Sequence, residues 1–384
     1  MKFLIMSELA KIIYVKCRRA VNRCFCLLPI KKDRVIFESF SGSTYNCNPK
    51  YISEHLEREC KGKVEIIWAL REPEKHPELK KRGIILCKYR SFQHQLYKLT
   101  SKVYVSNFLQ ASEVAKRRKQ IWIQTWHGGG CYKKIGLDSE HSSKVKLYRQ
   151  AMQVAETDYF IASSRYFEKH VVMRQLGFKG KVLECGMPRN DILCRPPKSD
   201  IIAMIRSSIG IPEDVFAVLF APTWRDGLEK YETIDVQRIK ESFEKRFDKP
   251  CVMLYRAHLY GNGSANGMID VTSYEDMQKL LYACDCLITD YSSSMWDYSL
   301  TQKPCFLFTP DLEEYSVIRG FDKDIHTWGF PVCTSNDNLA KSIEDFSEAD
   351  FKQNMRKHHE ELKSFERGNA AEYVVDLIKK ICGV

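Results

Sequence analysis

The sequence predicts an α/β protein built from two doubly wound, parallel-sheet domains. Four observations carry that expectation. Short apolar and β-branched runs alternate with helical stretches through most of the chain, the pattern of a parallel sheet covered by helices. The alternation is interrupted once, at "RPPKSD", and then resumes. Several strand-like runs end in histidine, arginine, aspartate or serine, and in open α/β sheets the carboxyl edge of the strands is where ligands bind. A chain of 384 residues at 44% hydrophobic composition can bury two such cores, at roughly 100 to 200 residues per domain.

Residues 1–32 precede the first strand-like run. They interleave Phe3, Leu4, Ile5, Leu9, Ile12, Ile13, Val15, Phe25, Leu27 and Leu28 with Lys2, Lys11, Lys16, Arg18, Arg19, Arg23, Lys31 and Lys32. That pattern suits a helix lying on an anionic bilayer, and equally an amphipathic helix packed on its own domain. No apolar run reaches the roughly 18 to 20 residues of a membrane span, and no small-residue cleavage site follows the apolar stretch. The chain is therefore expected to be neither secreted nor integral.

The first domain is expected over residues 33–205. Its strands are "RVIFESF", "VEIIWAL", "GIILCKY", "KVYVSNF", "IWIQTW", "YFIAS" and "KVLECG", and its helices include "PKYISEHLEREC", "SFQHQLYKLTS" and "SSKVKLYRQAMQVAE". The second domain, residues 206–384, repeats the pattern with "FAVLFAPTW", "CVMLYRAH", "CLITDY" and "PCFLFTP". From about Asn336 the chain reads as helical, and its last part, "AAEYVVDLIKKIC", is able to pack back across the first domain.

The net charge of +11 favours an acidic partner, whether a phosphorylated substrate, an anionic membrane surface or nucleic acid. Nucleic acid is disfavoured, because no recognition motif and no aromatic-basic interleaving within one element is present. The 15 cysteines include no C-x-x-C pair, so neither a zinc site nor a disulfide framework is expected, and a reducing cytosol fits best.

The strand ends carry the chemistry. In "IQTWHGGGCYKKIG", His127 follows the buried-strand run Ile121–Ile123 and precedes three glycines. Glycine admits close backbone approach or positive φ, so Gly128 and its neighbours read as an anion site beside a general base, with Lys133 and Lys134 following. The other polar ends are Arg189 in "GMPRND", Thr223 and Arg225 after "VLFAP", Arg256 and His258 after "VMLY", and Asp290 to Ser294 after "CLIT". Five such ends from two sheets imply one cleft between two domains. Ser292, Ser293 and Ser294 open the helical stretch "SSMWDYSLTQ", whose free N–H groups favour an anion, with ordinary helix capping as the alternative. Arg225 offers a planar donor fork suited to phosphate. "DKD" at 322–324 lies in a charged loop and reads as solvated, and "GNGSANG" at 261–267 lacks the lysine of a P-loop. No metal and no cofactor are required.

In order and spacing, "DRVIFESFSGSTYNCNPKYI", "TWHGGG", "GMPRND", "APTWRD", "YRAH", "DYSSSMWDYSL", "KPCFLF" and "FERGNAAEYV" resemble the CDP-glycerol glycerophosphotransferase family of bacterial wall teichoic acid and capsule synthesis. The resemblance implies a GT-B fold with two Rossmann-like domains facing a central cleft. It implies transfer of a polyol phosphate, glycerol phosphate first among the polyols, from a CDP-polyol donor to a hydroxyl of a lipid-linked polyol or saccharide acceptor, with release of CMP. It also implies peripheral association with the cytoplasmic face of the cell membrane. By the same resemblance His127 is catalytic, His258 serves the donor pyrophosphate, Arg225, Ser292 and Ser293 are further phosphate ligands, and Asp297 matches the acidic position at the nucleoside end. The family often carries prolines around the second histidine, where this chain reads "RAHL". Two rivals stand beside this reading. A GT-B nucleotide-sugar glycosyltransferase would release UDP or GDP instead of CMP. A non-catalytic, basic membrane-peripheral protein would leave the strand ends far apart. Glycerol versus ribitol, one unit added versus many, the acceptor and the oligomeric state are open at this level.

Overall fold

The computed structural model describes residues 8–109, 113–130, 132–139, 143–212, 214–223, 233–257 and 266–384. The chain divides into two compact units. One comprises the residues up to His127, Ile135–Asp191 and Phe365–Val384; the other comprises Gly128–Lys134 and Ile192–Ser364.

The first unit is a seven-stranded sheet of β1 (Lys31–Glu38), β2 (Glu65–Leu70), β3 (Ile85–Lys88), β4 (Ser101–Ser106), β5 (Ile121–Gln124), β6 (Tyr159–Ala162) and β7 (Lys181–Glu184). The spatial order is β3-β2-β1-β4-β5-β6-β7, and every pair is parallel. The strands read as unbroken apolar runs because helices cover both faces: Val35, Ile36 and Phe37 in β1 and Ile67, Trp68 and Ala69 in β2 are all fully buried. Strand order reverses between β1 and β4, and the carboxyl ends of strands at such a switch point form the ligand crevice of this kind of sheet.

Helix Ala370–Cys382, the last of the chain, packs on helix Cys47–Cys60 and against β1 and β4. Its start is fixed by Asp191, whose two carboxylate oxygens accept from the Ala370 and Ala371 N–H groups at 2.9 Å. An anionic side chain on the free N–H groups of a helix start is favourable in both hydrogen bonding and dipole.

The second unit is a six-stranded parallel sheet of β8 (Phe216–Phe220), β9 (Cys251–Tyr255), β10 (Ile269–Asp270), β11 (Cys286–Thr289), β12 (Cys305–Phe308) and β13 (Val332–Cys333). The order β10-β9-β8-β11-β12-β13 places its switch point between β8 and β11. The two-residue strands β10 and β13 are additions to the sequence expectation, too short to show a period.

Helix Glu8–Arg23 belongs to the first unit and has two distinct faces. Arg18 donates to Gln95 at 2.8 Å, Arg19 pairs with Glu156 at 2.7 Å, and the buried Asn22 donates to Gln95 at 2.9 Å. Ile13, Tyr14 and Val21 are exposed on the other side, as are Leu27 and Leu28 just beyond. The packed-helix alternative thus accounts for the inner face, and the outer face exposes apolar side chains interleaved with Lys16 and Arg23. Among the described residues, no helix is long and apolar enough to cross a membrane. The described cysteines are free thiols, most of them buried. Burial pushes the thiols of Cys87, Cys251 and Cys284 up to about 12, so they are poor nucleophiles.

Candidate active site

His127 stands three residues beyond β5, in the crevice of the first unit. Its Nδ1 lies 2.8 Å from the main-chain oxygen of Asn107, which follows β4. A carbonyl oxygen only accepts, so Nδ1 carries a proton and, in the neutral ring, Nε2 keeps its lone pair. Three aromatic rings frame the half-buried imidazole: Trp126 stacks at 4.5 Å between centroids, Phe40 presents an edge at 5.4 Å, and Phe108 lies at 5.8 Å. The chain reaches His127 through Trp126 at a φ of 54°, an uncommon value for a bulky residue. Gln124 Oε1 accepts from the Trp126 N–H at 2.9 Å, and Asn48 Nδ2 donates to the Trp126 and Thr125 carbonyls at 3.0 Å.

Arg189 lies in the same unit and is buried. Its N–H donates to Asn48 Oδ1 at 3.1 Å, and its guanidinium reaches Cys47 Sγ at 3.4 Å. The rest of "GMPRND" is bound to the terminal segment: Glu366 accepts from the Met187 N–H at 3.0 Å and from Asn190 Nδ2 at 3.1 Å.

Glu38, at the end of β1, is buried with charged partners. Tyr104 donates to its Oε2 at 3.0 Å, with His94 Nε2 at 3.6 Å and Lys98 Nζ at 3.7 Å. Burial alone would raise this carboxyl, but Lys98, His94 and Tyr104 together outweigh it and bring it down to about 2.

Gly128 is buried and falls, with the rest of the glycine run, in the second unit. Of the two expected reasons for these glycines, positive φ holds at Gly130 and approach to a ligand needs correcting at Gly129. A Cβ on Gly129 would come within 1.9 Å of the Trp296 ring, and Gly130 sits at a φ of +63° with the Tyr132 ring 2.4 Å from where its Cβ would be. Close packing on Trp296 rather than approach to a ligand explains Gly129, whereas Gly130 takes the positive φ that glycine admits. Lys133 bridges to Phe321 in an antiparallel pair, and the Lys134 N–H donates to the Gly320 carbonyl at 3.3 Å.

At the switch point of the second sheet, the buried Asp290 accepts from the Thr223 N–H at 2.8 Å and from the Thr223 hydroxyl. Ser292 and Ser293 are half-buried and Ser294 is buried. The helix they open is Ser294–Ser299, six residues instead of the ten expected, because its last turn gives way to turns closed by the Tyr298 and Ser299 carbonyls. Ser293 at its start makes no side-chain cap; Ser292 Oγ accepts instead from the Ser294 N–H at 3.3 Å. Asp297 is buried and accepts from Gln278 Nε2 at 3.1 Å. The half-buried Arg256 donates to the Tyr274 and Val271 carbonyls, and burial lowers its guanidinium from the ordinary value. Arg225 and His258 lie outside the described residues. Among the described residues no three His, Cys, Asp or Glu side chains are grouped as a metal site.

The first unit therefore gathers His127 and Arg189, and the second gathers Thr223, Asp290 and the three serines. Sequence reasoning missed Asn48 and Asn107. Asn107 ends the run "KVYVSN" as the other polar residues end theirs, so the strand-end rule could have found it.

Comparison with known proteins adds the family. The model described as CDP-Glycerol:Poly(glycerophosphate) glycerophosphotransferase matches residues 20–380. The chain is 27% identical over 376 residues to the teichoic acid poly(glycerol phosphate) polymerase of Bacillus subtilis (strain 168), covering 92% of this chain and 49% of that protein. It is 29% identical over 376 residues to the enzyme of the same name from Staphylococcus epidermidis, covering 91% and 51%. The chain thus spans about half the length of these two curated relatives. Among solved structures it is similar to the wall teichoic acid polymerase TagF, with a TM-score of 0.80, 26% identity, and coverage of 97% of this chain and 96% of that one. The fold is accordingly GT-B-like, two α/β units each with a parallel sheet.

Proposed function

The chain belongs to the CDP-glycerol:poly(glycerophosphate) glycerophosphotransferase family, and on that premise we propose that it transfers glycerol phosphate from CDP-glycerol to a hydroxyl of a teichoic-acid-type acceptor, releasing CMP. The observation that carries this reading is the state of His127. With Nδ1–H committed to the Asn107 carbonyl, Nε2 is a lone-pair acceptor held at the carboxyl edge of a parallel sheet. In the reaction, Nε2 takes the proton of the acceptor hydroxyl as its oxygen attacks the glycerol-bearing phosphorus. The new P–O bond forms while the bond to the bridging oxygen of the pyrophosphate breaks, and CMP departs with that electron pair.

Arg225, His258, Ser292 and Ser293 are the proposed partners of the donor pyrophosphate, and Gly128, Arg189, Thr223, Arg256, Asp290, Ser294 and Asp297 the proposed surroundings of the substrates. Donors fixed in place before the reaction stabilise charge on transferring phosphoryl groups without reorganising. The buried Asp297 and the carbonyl-bound Arg256 act, in this reading, by supporting the loops that carry those donors.

The acceptor is proposed to be lipid-linked and the protein peripheral to the inner face of the cell membrane. The outer face of helix Glu8–Arg23, with Ile13, Tyr14 and Val21 exposed beside Lys16 and Arg23, supports this. The experiment for the activity is incubation with CDP-glycerol, CDP-ribitol and UDP- or GDP-sugars, with identification of the released nucleotide. CMP from CDP-glycerol is expected. Release of UDP or GDP from a nucleotide sugar, with none from either CDP-polyol, would replace this reading with that of a glycosyltransferase. Membrane association is tested by co-sedimentation with anionic vesicles before and after deletion of residues 1–30; equal sedimentation would show that the helix is only a packed element of the first unit.

A further inference from the structure

We propose that two buried asparagines, Asn107 and Asn48, are positioning residues that hold His127 in the Nδ1–H tautomer and aim its Nε2. The inference rests on His127 being the base of the proposed reaction, and goes beyond it in naming what makes it one.

Free histidine side chains favour the tautomer with the proton on Nε2, and in that form Nε2 cannot accept a proton. The useful tautomer has to be imposed. Here the Asn107 carbonyl, 2.8 Å from Nδ1, imposes it. A main-chain carbonyl is only as well placed as the loop that carries it, and this loop is tied by its own side chain. Asn107 is fully buried; its Oδ1 accepts from the Phe40 N–H at 2.8 Å, and its Nδ2 donates to Ser39 Oγ at 3.1 Å. The Ser39 hydroxyl in turn donates to Asn46 Oδ1 at 3.0 Å. One side chain thereby joins the segments after β1 and β4, the two strands at the switch point.

The same bonds fix the ring beside the imidazole. Phe40 and Ser41 have φ values of 43° and 56°, sparsely populated by residues other than glycine, and such backbone persists only where its surroundings determine it. The Asn107 bond to the Phe40 N–H is one of those determinants, and Phe40 presents its edge to His127. On the other side of the histidine, Asn48 is fully buried and its Nδ2 bridges the Thr125 and Trp126 carbonyls, while its Oδ1 takes the Arg189 N–H. Trp126 is also in positive φ and immediately precedes His127. Each asparagine thus spends both ends of its amide on backbone or side-chain partners around one imidazole.

The test compares wild type, Asn107→Ala, Asn48→Ala and Asn107→Asp in two measurements. Imidazole 15N shifts of His127, taken without substrate at a pH where the ring is neutral, read the tautomer; steady-state CMP release from CDP-glycerol reads kcat and KM. In the wild type Nδ1 is expected protonated and Nε2 bare. In N107A the Nε2–H form should appear and kcat should fall by about 10- to 100-fold at unchanged KM for the donor, the scale of loss when a reacting group is misplaced by about 1 Å. N107D keeps an oxygen for the Phe40 N–H and should retain the wild-type tautomer and most of kcat. A wild-type kcat in N107A overturns the proposal. So does a fallen kcat with His127 still wholly in the Nδ1–H form, because that loss would be a general packing defect. If N107A fails to fold, N48A and N107D are read by the same two measurements: N48A should lower kcat and N107D should preserve the tautomer, and either failing overturns it. A wild-type protein that releases no CMP refutes the functional reading, while the substrate-free tautomer measurement still decides the clamp.

Discussion

Acidification should remove a defined part of the stability of the first unit through Glu38. This carboxylate closes β1, directly before the Ser39–Phe40 segment that Asn107 ties down, and its environment holds it at about 2 against an ordinary value of 4.5. Each unit of that gap corresponds to about 1.4 kcal/mol, so the ionised Glu38 contributes about 3.5 kcal/mol in full. The folded value lies below the unfolded one. The contribution is therefore complete above about pH 5 and is lost as pH falls toward 2. Glu38→Gln removes the charge but leaves Lys98 buried beside it, and breaking one side of a buried pair costs roughly 3 to 5 kcal/mol. Urea unfolding at pH 6 and pH 3, followed by fluorescence of the buried Trp68 and Trp122, compares the two proteins. The wild type should lose about 2 kcal/mol more than E38Q over that interval, because at pH 3 the folded carboxyl is still mostly ionised while the unfolded one is protonated, and E38Q should start lower. Parallel losses in the two proteins would show that Glu38 is not held ionised by Lys98, His94 and Tyr104.

Gly129→Ala places a methyl group within 1.9 Å of Trp296 and should cost about 1 to 3 kcal/mol, read as a lower Tm; an unchanged Tm would mean the ring yields freely. His127→Ala should lower CMP release by at least about 100-fold, within the range of general-base effects, with donor affinity by calorimetry unchanged; transfer at the wild-type rate would end its assignment as base. Arg225→Ala should weaken CDP-glycerol binding by about 1.5 to 3 kcal/mol, the cost of a hydrogen bond to a charged group, and an unchanged Kd would remove Arg225 from the proposed donor site. His358 is held neutral down to about 3 by burial, with His359 and Lys323 adding to it, whereas the unfolded ring titrates near 6.5. The unfolded chain takes up that proton first, so stability of the second unit should fall as pH drops from about 6.5 toward 3, and His358→Phe should flatten that slope in urea titrations followed by near-UV circular dichroism.

What the sequence made legible, and what it hid, follows from how far each signal reaches along the chain. A strand buried on both faces announces itself locally, so β1 to β9, β11 and β12 stand where their apolar runs are. The two-residue strands β10 and β13 carry no run and no period. His127 was legible because a polar side chain after an apolar strand is a local pattern. The carbonyl that sets its tautomer was not, because every residue has a carbonyl, and only the fold brings that of Asn107 to within 2.8 Å of Nδ1, 20 residues away. Gly129 was legible as a position requiring glycine, but the reason, Trp296, is far off in sequence and could not be read from the motif.

The short motifs that carry the family likeness consequently mix two kinds of constraint. "GMPRND" and "FERGNAA" look like separate signatures, yet they are partners: Asp191 holds the start of the terminal helix through Ala370 and Ala371, and Glu366 holds Met187 and Asn190. A substitution at Asp191 would leave two N–H groups buried without their acceptor, at about 1 to 3 kcal/mol for each. It would loosen the helix that lies on helix Cys47–Cys60, and that helix carries Asn48, one half of the proposed clamp on His127. Loss of activity in such a variant would therefore not make Asp191 a catalytic residue. The measurement that separates the two roles is the same one that decides the clamp: a change in the His127 tautomer together with lower stability marks an effect transmitted through Asn48, whereas lost activity at wild-type stability and tautomer would require Asp191 to meet the substrate itself.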